Sequence, residues 1–402
     1  MDTQSDRFTR DAAIAELERL GRWWLAHAPD ERNGGFVGEI DADGLAVADA
    51  SKGLVLNCRL LWFFSEMLRF TGQAAYAAAA ERAYQYLAQR FEDRRYGGAL
   101  WALSPRGQVI SDRKQTYAQC FCIYALVAYY RATSDATALA DAKRYLDVIA
   151  AHASDHNGGG LVEAFARDWS PIEDMRLGAD DMNAPKTMNT HLHFVEAVAA
   201  MHRAAPDEHS AAALRHGLEL FADRIVADDG HLGLYFDAEW HRLSDGFSFG
   251  HDIEASWLLS DAVEALGDDA LAGRLCPIAS RLAAICLEEG IGSGGQLCQG
   301  YDPASGRRDE TAVWWVQAEA LVGFLHAARQ TGETRFRQAA DGIWRFVRGT
   351  LVDARAGEWL WSVPPEPRVG AGHYLAGFWK GPYHNGRAML ESIRLLEEED
   401  LD

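Results

Sequence analysis

Apolar residues recur along most of the chain at the spacing of an α-helix. One apolar stripe, typical of an amphipathic helix, consists of Leu60, Leu61, Phe63, Phe64, Met67 and Leu68. Residues 121–130 are apolar almost all round, which indicates a helix inside a large fold. The pattern predicts twelve helical segments, at about 9–27, 51–72, 76–93, 115–134, 136–153, 188–204, 208–227, 250–267, 269–288, 312–331, 333–350 and 383–398.

A glycine-rich turn interrupts this helical pattern six times. The turns are Asn33-Gly34-Gly35-Phe36, Tyr96-Gly97-Gly98-Ala99, Asn157-Gly158-Gly159-Gly160, His231-Leu232-Gly233-Leu234, Gly292-Ser293-Gly294-Gly295 and Ala356-Gly357-Glu358-Trp359. Successive turns are about 60 to 75 residues apart, and repetition at a near-fixed period marks a repeated supersecondary unit. Short strand-like runs follow the turns, such as residues 36–40 and 233–236, before the next helix begins.

Each repeat predicts one helical hairpin. Six hairpins closed in a ring form an all-α fold, an (α/α)6 barrel with six inner and six outer helices and short strand-like loops at one end. An open solenoid of helix pairs is the alternative, but its repeats are usually shorter, and the chain shows no obvious capping repeats. We expect a single domain over residues 1–402, in which the longest irregular stretch, residues 168–190, is a functional loop.

Composition narrows the choice of partner and compartment. The formal net charge of −20 disfavours nucleic acid or an anionic membrane surface as a partner. The six cysteines form no CxxC pair, and we expect buried free thiols in a reducing compartment. Residues 1–6 contain no apolar run that would suggest a signal peptide, and no stretch is expected to approach the length of a membrane span. We therefore expect a cytoplasmic protein that is a monomer or a weak homodimer.

Polar and aromatic residues are concentrated where the even-numbered helices begin. If these helices line the inside of one ring, their starts converge on one pocket at one end of the barrel. The candidate site residues at or near these starts are Arg59, Tyr117, Asn189, His193, His251, Glu254, Trp314, Trp315, Trp379 and His384.

This set favours an enzyme that acts on sugars. Polar groups inside a barrel need partners or a function, because burying them alone is costly. The positive end of a helix dipole stabilises a developing oxyanion and disfavours an imidazolium, so a histidine there can stay neutral and act as a base. Tryptophan offers a flat apolar face on which a sugar ring stacks.

Each candidate also has a simpler interpretation. His191 and His193 could both bind zinc, but residues two apart on a helix point in different directions, so no metal is expected. His251 and Glu254 share a helix face, so Glu254 can orient His251; the alternative is an ordinary pair on a helix surface. Arg59 could be structural, and one of the two adjacent tryptophans, Trp314 and Trp315, is expected to belong to the core.

Four extended motifs in one order make the chain resemble the acylglucosamine 2-epimerase superfamily, in particular its cellobiose 2-epimerase (mannobiose 2-epimerase) branch. The motifs are Asn183–His193 with Glu196, Gly250–Trp257, Trp314–Glu319 and Trp379–Asn385 with Arg387. The matching order and spacing cover about residues 9–398. The superfamily has the (α/α)6 fold that the repeats predict independently.

The resemblance implies a reaction at C2 of a reducing-end aldose that needs no cofactor and no metal. His251 and His384 would be the two acid/base histidines, with Glu254 supporting His251. His193 and Arg59 would bind the O1/O2 edge and stabilise the intermediate. The positions that match sugar-binding residues are Tyr117, Asp181, Asn189, Trp379 and one of Trp314 or Trp315.

The expected function is therefore a sugar 2-epimerase that interconverts glucose and mannose at the reducing end of a β-1,4-linked disaccharide of the cellobiose or mannobiose type. The alternative within the superfamily is an epimerase or an aldose–ketose isomerase of free mannose or glucose. A glycoside hydrolase would need two carboxylates flanking the scissile bond. A sugar-binding protein without catalytic activity would need no paired acid/base histidines.

Overall fold

Twelve α-helices account for most of the chain that the structure, a computed structural model, describes: residues 7–303, 305–353, 355, 357–363 and 374–399. Residues 1–6, and Ala356 of the sixth predicted turn, lie outside these ranges. The helices are α1 (Arg10–His27), α2 (Leu54–Thr71), α3 (Ala74–Tyr86), α4 (Thr116–Thr133), α5 (Ala136–His152), α6 (Met188–Ala204), α7 (Glu208–Leu220), α8 (Phe249–Leu266), α9 (Asp269–Glu289), α10 (Trp314–Thr331), α11 (Thr334–Phe346) and α12 (His384–Glu399).

All twelve predicted segments are helical. Three of the outer helices, α3, α7 and α11, end in a π-helical turn, and these turns span Leu87–Phe91, Phe221–Ile225 and Val347–Leu351. A π-helical turn adds one residue to the hydrogen-bonded ring. The sequence pattern does not distinguish it from α-helix, because it keeps the same side of the helix buried.

The even-numbered helices form a closed inner ring. Each packs against the next in chain order, from α2 to α12, and the odd-numbered helices pack around the outside. The ring closes between α12 and α2, where the Trp62 ring lies 5.5 Å from that of Tyr383 and the Arg59 guanidinium reaches His384. The predicted (α/α)6 barrel is therefore confirmed, and the open solenoid is wrong.

Eleven short strands lie in the described loops at the end of the barrel where the inner helices begin. They are β1 (Lys52–Gly53), β2 (Ala102–Leu103), β3 (Val109–Ser111), β4 (Lys114–Gln115), β5 (Ala164–Phe165), β6 (Lys186–Thr187), β7 (Tyr235–Phe236), β8 (Gly300–Asp302), β9 (Arg307–Asp309), β10 (Ala312–Val313) and β11 (Ser362–Val363).

All the strand pairs are antiparallel. β1, β4, β6 and β10 each lead into an inner helix and pair with β2, β5, β7 and β11, which lie in the loop of the next repeat. The other two pairs are β2 with β3 and β8 with β9. Residues 36–40, expected to be strand-like, contribute only isolated bridges at Phe36 and Ile40.

Glycines in the left-handed backbone conformation make the turns between outer and inner helices. Gly34, Gly97 and Gly357 have φ values of 80°, 75° and 76°, a conformation that side chains with a Cβ rarely adopt. The prediction that Gly233 makes the fourth turn is wrong. Gly230, with φ of 90°, makes that turn, and Gly233 has no positive φ.

Buried lysines join these turns to the inner helices in the first three repeats. Each lysine lies in the strand before the helix, and its ammonium group contacts the aspartate that opens the turn. The pairs are Lys52–Asp30 at 2.8 Å, Lys114–Asp93 at 3.0 Å and Lys186–Asp155 at 2.7 Å. Because each charge is paired, the lysines can be buried at this end of the barrel.

Two expectations from composition can be compared with the structure. All six cysteines are free thiols, as expected, but only five are buried, since Cys276 is half-buried. The expectation that no stretch approaches the length of a membrane span is wrong on length and composition, because α9 has 21 residues and contains an 18-residue window with a mean hydropathy of 1.5. This is weak evidence for a span, since α9 packs against α8 as an outer helix of the barrel.

Candidate active site

A side chain in the first turn of four inner helices accepts a hydrogen bond from the glycine turn before it. The bonds are from the Ala99 amide to Gln119 (2.7 Å), Leu161 to His191 (2.9 Å), Leu232 to Asp252 (3.0 Å) and Leu297 to Gln317 (2.9 Å). They fix the rotation of each helix about its own axis. His191 is thus a structural residue. Its side chain points in a different direction from that of His193, as expected.

The residue two positions later in each inner helix faces the barrel axis. Phe121, His193, Glu254 and Glu319 hold this position in α4, α6, α8 and α10. Arg59 and Arg387 hold it in α2 and α12, because they follow Lys52 and Lys380 at the same distance in sequence at which Phe121 and His193 follow the lysines of their own repeats. Neighbours in this set touch. The Phe121 ring lies 4.9 Å from both the Arg59 guanidinium and the His193 ring. The predicted convergence of the six helix starts is therefore present in the structure.

Three buried carboxylates surround the guanidinium of Arg387. Its Nη2 donates to Glu254 at 2.6 Å and to Glu319 at 2.7 Å, and its Nη1 donates to Glu196. Each of the four side chains is at most 5% exposed. Glu196, Glu319 and Arg387 belong to the sequence motifs but are not among the predicted site residues. Their equivalent positions in the repeats are the signal that could have identified Glu319 and Arg387.

His384 begins α12 and is held between a carboxylate and a guanidinium. Its Nδ1 lies 2.7 Å from Oε1 of Glu319, and its Nε2 lies 3.5 Å from Nη2 of Arg59. Burial, together with the positive charges of Arg59 and Arg387, lowers the pKa of His384 well below its usual range. A neutral His384 donates from Nδ1 to Glu319 and keeps the lone pair of Nε2 available as a base.

His251 lies in the first turn of α8, and its ring packs against that of Trp315 with the centroids 4.8 Å apart and the planes tilted by 53°. Its buried Nδ1 makes no hydrogen bond with any residue that the structure describes, Glu254 included, so the predicted support from Glu254 is wrong. Glu254 bonds Arg387 instead, because that guanidinium reaches across the barrel axis from α12. Burial and, to a smaller extent, His193 lower the pKa of His251 to about 3, so this imidazole is neutral near pH 7.

His193 and Glu196 form a histidine–carboxylate pair on α6. Nδ1 of His193 lies 2.8 Å from Oε2 of Glu196, which also accepts from the Tyr383 hydroxyl at 2.6 Å. Burial would raise the pKa of Glu196, but Arg387 and these hydrogen bonds outweigh it and lower that pKa to about 2. Burial still lowers the pKa of His193, although Glu196 opposes this shift.

Arg59 is fixed by contacts with Tyr117 and Trp379, next to His384. Nη2 lies 3.1 Å from the Tyr117 hydroxyl, and Nη1 donates to the carbonyl of Trp379. Burial raises the pKa of Tyr117, so its phenol stays protonated. The half-buried Trp379 ring lies 6.4 Å from the Tyr117 ring. Three of the predicted site residues, Arg59, Tyr117 and Trp379, are thus brought together beside His384.

Asp181 and Asn189 lie on another side, with His251. All three line a cavity of about 80 Å³, which the loop predicted to be functional covers with Met175, Leu177 and Met182. Asp181 accepts from the Tyr235 hydroxyl at 3.2 Å. The buried Oδ1 of Asn189 has no hydrogen-bond partner in the described part of the chain, so a hydroxyl entering this cavity would find an acceptor there.

The structure distinguishes the two adjacent tryptophans. Trp314 is 3% exposed and packs on Trp361 at 4.3 Å, so it belongs mainly to the core. Trp315 is half-buried and contacts both histidines, with its ring 4.8 Å from the His251 ring and 5.5 Å from the His384 ring. The exposed part of the Trp315 ring is therefore the one available to a sugar.

Glu254, Glu319 and His384 form a compact buried group, with the nearest ligand atoms within 4.8 Å of one another. The guanidinium of Arg387 already donates to both carboxylates, and Nδ1 of His384 is bonded to Glu319. We therefore assign the cationic position in this group to Arg387 rather than to a metal ion.

The sequence matches the family model of N-acylglucosamine 2-epimerase (GlcNAc 2-epimerase) over residues 34–385. A cellobiose 2-epimerase of Bacteroides fragilis is 38% identical over 93% of this chain and 96% of that protein. A D-mannose isomerase of Thermobifida fusca is 24% identical over 91% of this chain and 86% of its own length.

The fold is also that of solved structures. The cellobiose 2-epimerase of Spirochaeta thermophila superposes with a TM-score of 0.89 at 38% identity, covering 98% of this chain and 97% of that one. The likeness extends over the inner and outer rings, so it supports the barrel independently of the repeat pattern.

Proposed function

The chain belongs to the N-acylglucosamine 2-epimerase family, and we propose that it inverts C2 of the reducing-end sugar of a β-1,4-linked disaccharide, interconverting glucose and mannose at that end. The observation that carries the proposal is a pair of neutral histidines, His251 and His384, on two different inner helices and both in contact with the ring of Trp315. Epimerisation needs such a pair, because C2 loses its proton on one face and regains one on the other.

The reaction begins when the sugar ring opens. The aldehyde at C1 makes the proton on C2 acidic, and one neutral histidine removes it to give a cis-enediolate. The other histidine returns a proton to the opposite face. General acid/base steps of this kind contribute on the order of 10²–10⁴-fold each.

Arg59 and His193 stabilise the charge that develops on O1 and O2. Arg59 is held by Tyr117 and by the Trp379 carbonyl, so its remaining N–H groups are oriented before the substrate binds. Glu196 stays ionised beside His193 and favours the protonated form of that imidazole, whose Nε2–H then donates a hydrogen bond to the negative charge that appears on the sugar. In many enzymes, preorganised donors of this kind lower the activation barrier more than any other single effect.

His384 has a built-in partner for its charged state. When His384 accepts the C2 proton, Glu319 faces the resulting imidazolium at Nδ1. Among the described residues, Nδ1 of His251 has no such partner. The two histidines therefore differ in how the protein stabilises their protonated forms, and this difference contributes to the relative rates of the two directions.

The relatives favour cellobiose-type disaccharides as substrates, and the carboxylates of the site disfavour hydrolysis. Relatives named cellobiose 2-epimerase are 34–38% identical to this chain, against 24% for the D-mannose isomerase. A glycoside hydrolase would need two carboxylates available to substrate. Here Glu196, Glu254 and Glu319 are all buried and bonded to Arg387, which does not favour that chemistry.

Incubation with cellobiose, mannobiose, glucose and mannose, followed by product analysis, tests the proposal. We expect cellobiose to give a disaccharide with a mannose end, and the free sugars to react more slowly. Fructose or a fructose-ended disaccharide as the dominant early product would establish an isomerase. Release of two sugars from cellobiose would establish a hydrolase.

We further propose that the protein works in the cytoplasm as a monomer or weak homodimer, without a membrane or nucleic acid as partner. The unpaired thiols and the net charge of −20 support this. Cell fractionation and sedimentation at several concentrations test it.

A further inference from the structure

The buried cluster around Arg387 contains more carboxylates than guanidinium groups. Glu196, Glu254 and Glu319 all bond Arg387. The second guanidinium is that of Arg59, on the far side of His384. The titratable and charged groups that face the cluster are Arg59 from α2, Tyr117 from α4, His193 and Glu196 from α6, His251 and Glu254 from α8, Glu319 from α10, and Tyr383, His384 and Arg387 at the start of α12.

With the histidines neutral and all three carboxylates ionised, this set carries one uncompensated negative charge. Every carboxylate in it is at most 5% exposed, so water does not screen that charge. Buried groups in this position change protonation state rather than keep an unpaired charge. One additional proton balances the cluster.

Hydrogen bonds indicate which carboxylate holds that proton. Glu196 accepts from His193, Tyr383 and Arg387, and Glu319 accepts from His384, Trp257 and Arg387. Glu254 accepts only from Arg387 among the described residues. Donors stabilise the ionised form of a carboxyl group, so Glu254 is the least stabilised as an anion. Burial, with Glu319 nearby, also raises the pKa of Glu254, whereas that of Glu196 is lowered.

We propose that Glu254 is a neutral carboxylic acid in the resting enzyme, and that this proton leaves His384 free to act as an unprotonated base. Oε1 of Glu254 lies 4.0 Å from Nδ1 of His384. A negative charge at that distance would favour an imidazolium at His384 and would oppose the nearby enediolate. Glu254 is thus a positioning residue that acts through charge, and not the orienting partner of His251. Its effect on catalysis rests on the proposed function, whereas its protonation state does not.

Infrared spectroscopy in D2O without substrate tests the protonation state directly, because a protonated carboxyl group and a carboxylate absorb separately. We expect the difference spectrum between wild type and Glu254→Gln near neutral pD to show the loss of one protonated carboxyl. The matched control is Asp174→Asn, since Arg176 holds the pKa of the exposed Asp174 below its usual range. Its difference spectrum should contain carboxylate bands only.

A Glu254→Gln spectrum that lacks only carboxylate bands would overturn the inference. If that variant does not fold, Glu254→Asp replaces it, and the protonated band must then shift rather than stay in place. This measurement contains no substrate, so it does not depend on the proposed function. If Glu254→Gln loses the protonated band but the wild type has no epimerase activity, the inference on Glu254 holds and the proposed function is refuted.

The pH profile gives a second readout that a purely structural role would not change. Deprotonation of Glu254 as the pH rises adds a negative charge beside the enediolate, so kcat/KM of the wild type should fall at basic pH. Glu254→Gln cannot deprotonate, so its profile should lose this basic limb whatever its maximal rate. An unchanged basic limb would contradict the proposal.

Discussion

Glu319→Gln tests whether His384 needs an anionic partner during catalysis. Glu319 accepts from Nδ1 of His384 at 2.7 Å, from Arg387 at 2.7 Å and from the Trp257 indole at 3.1 Å. Glutamine keeps the shape of the side chain but removes the charge. It therefore leaves the site assembled while the imidazolium of His384 loses its anionic partner.

The size of the effect follows from that one hydrogen bond. A hydrogen bond to a charged group is worth about 1.5–3 kcal/mol. It is made at full strength only after His384 has taken the C2 proton, so its loss raises the barrier rather than weakening substrate binding. At about 1.36 kcal/mol for each factor of ten, kcat/KM should fall roughly 10- to 150-fold, mainly through kcat.

Steady-state kinetics on cellobiose, with circular dichroism to verify folding, measures this effect. Glu16→Gln is the matched control, because Glu16 is also buried and accepts from Arg19 and from the Trp359 indole, but lies on the outer helix α1. It should lose stability without losing kcat/KM. A Glu319→Gln variant within threefold of wild type, or a loss confined to KM, would refute the reasoning.

Three further expectations follow from the structure. Trp315→Ala should raise KM with little change in melting temperature, whereas Trp314→Ala should chiefly lower the melting temperature; the reverse pattern would exchange their roles. Asp93→Asn leaves the buried Lys114 without a charged partner and should cost about 3–5 kcal/mol. Burial alone would raise the pKa of Asp93, but hydrogen bonds from Arg167 and Lys114 hold it below its usual range. The melting temperature of Asp93→Asn should therefore lie furthest below that of the wild type above about pH 4, which is near the pKa of an aspartate in the unfolded chain. This difference should shrink as the pH falls further. Exhaustive chelation and dialysis should leave activity intact, and a loss that zinc or magnesium restores would overturn the metal-free mechanism.

The repeat pattern predicted the fold because helical period and glycine turns are local properties of the sequence. The spacing also predicted that residues in equivalent positions would meet, and Arg59, His193 and Glu254 do line one axis. The fourth turn was misplaced because Gly230 and Gly233 are equally plausible by composition. Only the backbone conformation distinguishes them, with φ of 90° at Gly230.

The partners of the site residues could not be predicted in the same way. Spacing showed that His251 and Glu254 share a face of α8, but it could not show that Arg387 approaches that face from α12. The choice between Trp314 and Trp315 likewise depends on the packing of Trp361 against one of them. Contacts across the barrel join residues far apart in sequence, and a single chain contains no local signal for them.

Hydrogen exchange at C2 by the single variants His251→Ala and His384→Ala tests the two-histidine mechanism most directly. Each variant keeps the base on one face, so in D2O each should exchange the C2 proton of one epimer only, the two variants should act on opposite epimers, and neither should epimerise. NMR of cellobiose and of its mannose-ended epimer measures both exchange and conversion. Continued epimerisation by either variant above about a tenth of the wild-type rate, or exchange of the same epimer by both, would contradict the assignment of one histidine to each face.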